Sequence, residues 1–347
     1  MDLSGMANPV KTLIKRSLQY IAAHFGPHTR RHSEPKLVIL MYHRVLPRDD
    51  ERILFEEPGM YVSPETFKHN LLTLADYFEF ISLTDWIEKK AANLPLPEKA
   101  CIISFDDGWA DNYEYAFPIL QELNIPATIF LVSDMIGTTE MFWPERVARL
   151  VHEICQHHAQ HWSDPLLDWL RTEQTDFSYS SARPTTEQLT QLIAQAKQFS
   201  DQDIHNRIND VEHALNIRIS SPSPSLLNWK QVSEMTQSKI INIGSHTCHH
   251  TRLNQQTPDD LLAHEVINSK LTIEAQTGQN INSFCFPNGD YSNAALKLVK
   301  DHYAATVTTE NGWNDLSSDR HLLKRIGVHE DIANNKTAFL ARISGWM

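Results

Sequence analysis

The chain has 347 residues, enough for one large α/β domain or two smaller ones around a substantial core. Asp and Glu outnumber Lys and Arg by 43 to 31, and the formal charge of −12 argues against nucleic acid as the main partner, since phosphate binding needs a basic footprint. The four cysteines form no C-x-x-C pair and all but Cys155 fall on or beside apolar stretches, which points to a reducing, cytoplasmic setting. No run approaches the roughly 18 apolar residues of a membrane span.

Taken in order, residues 1–34 lack the continuous apolar core of a signal peptide. Val10, Leu13, Ile14, Leu18, Ile21 and Phe25 recur at helical spacing, with Lys11, Lys15 and Arg16 on the other faces, so this segment reads as a basic amphipathic helix. Such a stripe most commonly packs on its own protein. The sharper alternative is peripheral contact with an anionic membrane surface, helped by Arg30 and Arg31.

From residue 35 the pattern alternates. Strands are expected at about 37–42, 79–82, 101–105, 127–132, 240–244, 283–286, 303–307 and 324–328, with helices between them, for example at 64–77, 83–90, 113–123, 258–276 and 293–301. That alternation is the mark of a parallel α/β fold, either a TIM-like barrel or a doubly wound open sheet. It stops at about 140–226, where helices are expected at 143–158, 165–172, 185–200 and 202–215, around a polar loop at 176–184 and a Ser/Pro-rich tract at 220–225. This is far longer than an ordinary crossover and reads as a helical subdomain inserted into a domain of residues 35–347. Leaving a strand just after Val132, it should border the functional face of a barrel, as packing material or as a wall for substrate.

Two stretches carry potential chemistry. Cys101-Ile102-Ile103-Ser104-Phe105 is an uncharged run that ends in Asp106-Asp107-Gly108. Neighbouring side chains of a strand point to opposite faces, so the two carboxylates share one site only if the chain leaves strand geometry there, which Gly108 would permit. Ile241-Asn242-Ile243-Gly244-Ser245 likewise ends in His246-Thr247-Cys248-His249-His250, residue types that bind a divalent transition metal. Asp-Asp-Gly alone is an ordinary turn, and a lone histidine is ordinary as well. Two apolar strands that both end in ligand types converge on one face of a barrel.

These residues resemble the polysaccharide deacetylases, also called carbohydrate esterase family 4 or NodB-homology proteins. Ser104-Phe105-Asp106-Asp107-Gly108 is similar to the family's T/S-F-D-D-G motif and His246-Thr247-Cys248-His249-His250 to its H-S/T-x-x-H motif. Phe286-Pro287-Asn288-Gly289 is a looser match to a later proline motif, and Leu40-Met41-Tyr42-His43 to the first strand of a branch that includes exopolysaccharide N-deacetylases. The resemblance implies a distorted (β/α)7-8 TIM-like barrel. It also implies a hydrolase of carbon–nitrogen bonds other than peptide bonds, which removes N-acetyl groups from amino sugars of a polysaccharide or glycan precursor. Asp107, His246 and His250 would hold one divalent metal ion, zinc foremost with cobalt or nickel as alternatives. Asp106 would be the general base, and the Asn288 amide would help hold the oxyanion. The proton donor would be His43, with His329 as the competing candidate after Ile326-Gly327-Val328.

Two departures stand out. Where many members carry Arg-x-Pro-Tyr, this chain has Cys285-Phe286-Pro287-Asn288, so the arginine that would orient the base is absent from that position. No Asp-x-x-Asp-Trp motif follows Pro287, the nearest tryptophan being Trp313. A barrel of the same family that binds a glycan or a partner without turnover is the second reading. The joint presence of Asp106, Asp107, His246 and His250 favours the enzyme.

Overall fold

The computed structural model describes residues 8–57, 59–172, 183–221 and 223–346. The expected polar loop at 176–184 lies largely outside them. The strands are β1 (Lys36–Tyr42), β2 (Arg44–Val45), β3 (Tyr61–Val62), β4 (Glu79–Phe80), β5 (Lys99–Phe105), β6 (Ala127–Leu131), β7 (Ile241–Ser245), β8 (Ser283–Cys285), β9 (Ala305–Val307), β10 (Asn314–Asp315) and β11 (Ile326–Gly327). The helices are α1 (Asn8–Phe25), α2 (Pro64–Ala75), α3 (Leu83–Ala91), α4 (Phe117–Leu123), α5 (Trp143–His157), α6 (Thr186–Ala196) and α7 (Asp201–Leu215). They continue with α8 (Trp229–Gln237), α9 (Asp259–Ala263), α10 (Ser269–Thr277), α11 (Asn293–His302), α12 (Glu330–Ala333) and α13 (Lys336–Ile343).

Six strands run parallel in the order β1-β5-β6-β7-β8-β9, with β4 added on β5 and β11 on β1. The sheet curls because one segment serves both of its ends. Leu323 bridges to Val307 beyond β9, and three residues later Ile326 pairs with Leu40 on β1. A doubly wound open sheet is thereby excluded, and the fold is a distorted barrel.

Period-two alternation divides the apolar residues between two environments. Leu37 and Ile39 of β1, Ala100 and Ile102 of β5, Phe130 of β6, Cys285 of β8 and Val307 of β9 form one buried cluster, which fills the barrel. Val38, Leu40, Cys101, Ile103 and Phe105 face the other way and pack under the surrounding helices. Gly244 shows how tight the interior is, since a Cβ there would stand 2.4 Å from the Phe130 ring.

Between β6 and β7 the chain leaves the barrel for α5, α6 and α7, which bury Trp143, Val151, Trp162, Leu192, Ile204 and Ile208 in an apolar cluster of their own. The helix expected over 165–172 is only a short 3₁₀ turn, Pro165–Leu167, after which Trp169 and Leu170 turn into that cluster. Two other helices begin or continue through π turns, Asn112–Ala116 and His264–Asn268.

The N-terminal helix departs from the commoner expectation. It meets the protein through its small residues, Ala22 and Ala23, while Leu13, Leu18, Ile21 and Phe25 stay exposed. Close packing explains the choice of face: a Cβ on Gly26 would lie 2.8 Å from Ser344 Cβ, just beyond α13. No described helix is long and apolar enough to cross a membrane.

Candidate active site

The inward positions of the strands lead to the site. Extending each alternation by one step past the last core layer brings Met41 and His43 from β1, Ser104 and Asp106 from β5, and His246 from β7 to the rim, where all but Ser104 line one cavity. Asp107 would by the same alternation point away. It does not, because Asp107 and Gly108 both take positive φ, 75° and 79°, so the chain turns at once and both carboxylates enter the site. Thr247 and His250 also sit at positive φ, 71° and 62°, which folds the second loop tightly enough to bring His250 back beside His246.

The Nε2 atoms of His246 and His250 each lie 3.3 Å from Asp107 Oδ1. Hydrogen bonds fix two of the three orientations from behind, those of Asp107 and His246, while the His250 ring packs against Phe142 and His246. Trp109 Nε1 donates to Asp107 Oδ2 at 2.8 Å, and His246 Nδ1 donates to the Cys285 carbonyl at 2.8 Å, which leaves its Nε2 lone pair facing the carboxylate. Asp107 Oδ1 is buried and receives no well-formed hydrogen bond. Two bonds of about 2.05 Å at a tetrahedral angle separate their ligand atoms by roughly 3.3 Å, so this donor set fits one divalent cation of zinc's size. Burial would push the Asp107 carboxyl up, yet imidazoles that carry a proton toward it, as His246 and His250 do when no cation takes that place, hold it well below the ordinary carboxylate range.

Asp106 is held differently. Arg325 grips it in a fork, Nη1 to Oδ1 and Nη2 to Oδ2 both at 2.7 Å, and its Nη2 also reaches Cys285 Sγ at 3.1 Å. Against the rise that burial alone would cause, this guanidinium holds the Asp106 carboxyl below its usual value. His43 Nε2 lies 3.9 Å from Asp106 Oδ2. Its backbone is pinned as well, the His43 carbonyl accepting from Asn112 Nδ2 at 2.8 Å in the first π turn.

The cavity between these groups has a volume of about 240 Å³. Phe142, Pro144, Glu145 and Lys197 of the insertion line it together with Asn288. Asn288 takes φ 54°, and the turn's own bonds are donated by Gly289 and Asp290, which leaves the Asn288 N–H outside that bonding.

The polysaccharide deacetylase family model matches residues 93–215 and 205–307, more than half of the chain. The chain belongs to the polysaccharide deacetylase family. YxkH of Bacillus subtilis (strain 168), named as a candidate polysaccharide deacetylase, is 24% identical over 294 residues, 84% of this chain and 71% of that protein. Poly-beta-1,6-N-acetyl-D-glucosamine N-deacetylase of Staphylococcus epidermidis is 30% identical over 117 residues, 31% of this chain and 40% of that one. The solved deacetylase PplD of Streptococcus pyogenes has 20% identity and a TM-score of 0.58, covering 90% of this chain and 99% of its own, and shows the fold to be the family's distorted (β/α)7-8 barrel. The enzyme class expected from the sequence, a metal-dependent polysaccharide N-deacetylase, is the class these comparisons return.

In this deacetylase the arginine missing before Pro287 is supplied from elsewhere. Cys285 occupies that position, its small thiol leaving room into which Arg325 extends from the segment that closes the barrel. In the sequence Lys324-Arg325 looks like a poor start for an apolar strand. The structure explains the charge: Arg325 is wholly buried because it faces Asp106, with Nε donating to the Thr308 carbonyl at 2.9 Å. Trp313 is not a site residue, its Nε1 donating to the Ile343 carbonyl at 2.7 Å near α13, whereas the tryptophan that touches the carboxylate is Trp109. His43 lines the cavity and His329 does not, standing instead 3.6 Å from Asp331. Cys248 and His249 face away from Asp107. His249 Nδ1 donates to the buried Glu265 at 3.0 Å, and that carboxylate also accepts the Cys248 and His249 N–H groups.

Proposed function

We propose that the protein hydrolyses the N-acetyl amide of N-acetylhexosamine units in a glycan, with Asp107, His246 and His250 as the metal ligands. The observation that carries this reading is the convergence of three electron-pair donors, Asp107 Oδ1 and the two Nε2 atoms, beside a second carboxylate that is kept ionised by Arg325. Those three residues would hold a divalent ion, zinc in preference to cobalt or nickel, which would supply polarisation of an acetyl carbonyl and a lowered pKa for water. Asp106 accepts the proton of the attacking water while its oxygen bonds to the carbonyl carbon. Asn288 donates its free N–H to the developing oxyanion. As the carbon–nitrogen bond breaks, His43 gives a proton to the leaving amine, so that acetate and a free amino sugar depart.

The cavity is smaller than the roughly 300–1,000 Å³ of a pocket for a drug-sized ligand, which suits one sugar unit with the rest of the glycan outside. The helical insertion, which spans about residues 140–226, then acts as the wall that positions that unit. Four buried, unpaired cysteines support a reducing, cytoplasmic setting, in which a glycan precursor is as suitable a substrate as a finished polymer.

Acetate release from N-acetylhexosamine oligomers and polymers, measured with and without added zinc, cobalt or nickel, tests the proposal. His250→Ala should lower metal content and activity together, because a site with three protein ligands has none to spare. No acetate from any oligomer in the presence of metal would favour the alternative of a binding barrel without turnover.

A further inference from the structure

The amphipathic helix at the N-terminus packs the wrong way round for a helix whose apolar residues serve its own core. At about 100° per residue, Leu13, Leu18, Tyr20, Ile21 and Phe25 span an arc of about 160°, interrupted by Ser17 and His24. These five apolar residues are exposed, by 66%, 42%, 56%, 48% and 58% in that order, and Ile14, which falls within the same arc, is half-buried, while the contact with the protein is made by Ala22 and Ala23 on the opposite side. Arg16 and Lys15, both exposed, stand about 40° and 60° outside the two ends of the arc. Beyond the helix, the Arg30 guanidinium lies 5.3 Å from the centre of the exposed Trp346 ring, adding a further aromatic and cationic pair.

We infer that this face docks on the surface of a membrane that contains anionic lipid. Charge separates this partner from others. Five Lys and Arg against two Asp and Glu give residues 1–35 a net charge of +3, so the remainder carries −15 within a chain total of −12. An acidic body would be repelled by an anionic bilayer, and the basic residues on either side of the apolar arc sit where cationic side chains reach headgroups as the apolar ones enter the acyl boundary. The helix lies on the surface and does not cross, since its apolar arc covers less than half of the circumference. The stripe shares no residue with the catalytic cavity, so docking leaves the mouth free. Near the end of the helix the His28 carbonyl accepts from Lys99 Nζ at 2.7 Å, at the entry of β5, whereas Asp106 stands at its exit. The membrane anchor and the site therefore belong to opposite ends of the barrel strands at this point.

Flotation of the full chain with vesicles tests the inference. Binding should be weak to phosphatidylcholine alone, strong when one third of the lipid is phosphatidylglycerol, and should fall as salt is raised. Lys15→Glu and Arg16→Glu should each weaken binding about fivefold or more. The triple variant Leu18→Glu, Ile21→Glu, Phe25→Glu should weaken it by about 100-fold or more. These side chains are exposed, so unchanged circular dichroism and unchanged acetate release from a soluble oligomer will show that fold and site are intact. Absence of flotation, or flotation that the triple variant retains, overturns the inference. So does a dimer in sedimentation velocity that the triple variant dissolves, because the stripe would then be covered by a second copy of the chain.

Discussion

The two walls of the cavity are built on different principles. On the barrel side three of the functional groups are strand-tip residues with their backs held: Asp106 by Arg325, Asp107 by Trp109, His246 by the Cys285 carbonyl. On the insertion side the groups come from helices with their own apolar core, and Lys197 reaches the cavity partly exposed, its ammonium paired with Glu57 at 2.7 Å. Buried, hydrogen-bonded groups cannot shift without leaving polar atoms unpaired, whereas an exposed ion pair costs little to rearrange. On the function proposed above, bond-breaking belongs to the barrel and substrate fit to the insertion, and substitutions on each wall should separate the two.

The largest effect is expected at Asp106. Asp106→Asn should leave metal content intact and lower kcat by about 10²–10⁴-fold, the range for removal of a general base. Loss of metal in that variant would show that the two carboxylates have exchanged roles. Next comes His43, where His43→Ala should spare the metal and cut turnover of amide substrates by about 10²-fold or more, with much less effect on an activated ester whose leaving group needs no proton. An equal loss on both substrates would remove His43 as the acid, and the same comparison on His329→Ala would then be decisive.

Across the cavity the effect should shrink and change character. Lys197→Ala should raise KM by a few fold at constant kcat, in keeping with the roughly 0–1 kcal/mol of an exposed ion pair. A fall in kcat as deep as that of the strand-tip variants would break the division between the walls.

The smallest effect concerns stability. Burial pushes the Glu56 carboxyl up to about 7, the Arg44 guanidinium beside it offsetting this only in part. A carboxyl whose pKa in the folded chain exceeds its ordinary 4.5 favours folding when protonated. Its contribution is thus full below about pH 4.5 and is lost as pH rises through about 7. Between pH 5 and pH 8 the melting temperature should therefore fall by a few degrees more in the wild type than in Glu56→Gln. Parallel melting curves for the two proteins would place the pH dependence elsewhere.

How much of this was legible in the sequence follows from how local each feature is. The strands announced themselves because parallel strands buried on both faces read as apolar runs, and β1, β5, β6 and β7 lie within two residues of their expected bounds. The same locality exposed Asp106, Asp107, His246 and His250, which follow such runs directly. Arg325 was hidden, because its partner lies 219 residues away and a buried cation is recognisable only beside its anion. The face on which α1 packs was hidden for a related reason. Periodicity fixes which residues share a face of a helix, but the close approach of Ala22, Ala23 and Gly26 to α13 decides which face turns inward. By itself the sequence determined the alternation of strands and helices, the ligand types at the strand tips and the amphipathic stripe. Only the tertiary structure decided that the sheet closes into a barrel, that a residue from the closing segment braces Asp106, that the insertion lines the cavity, and that the stripe faces out, because each depends on contacts between segments far apart along the chain.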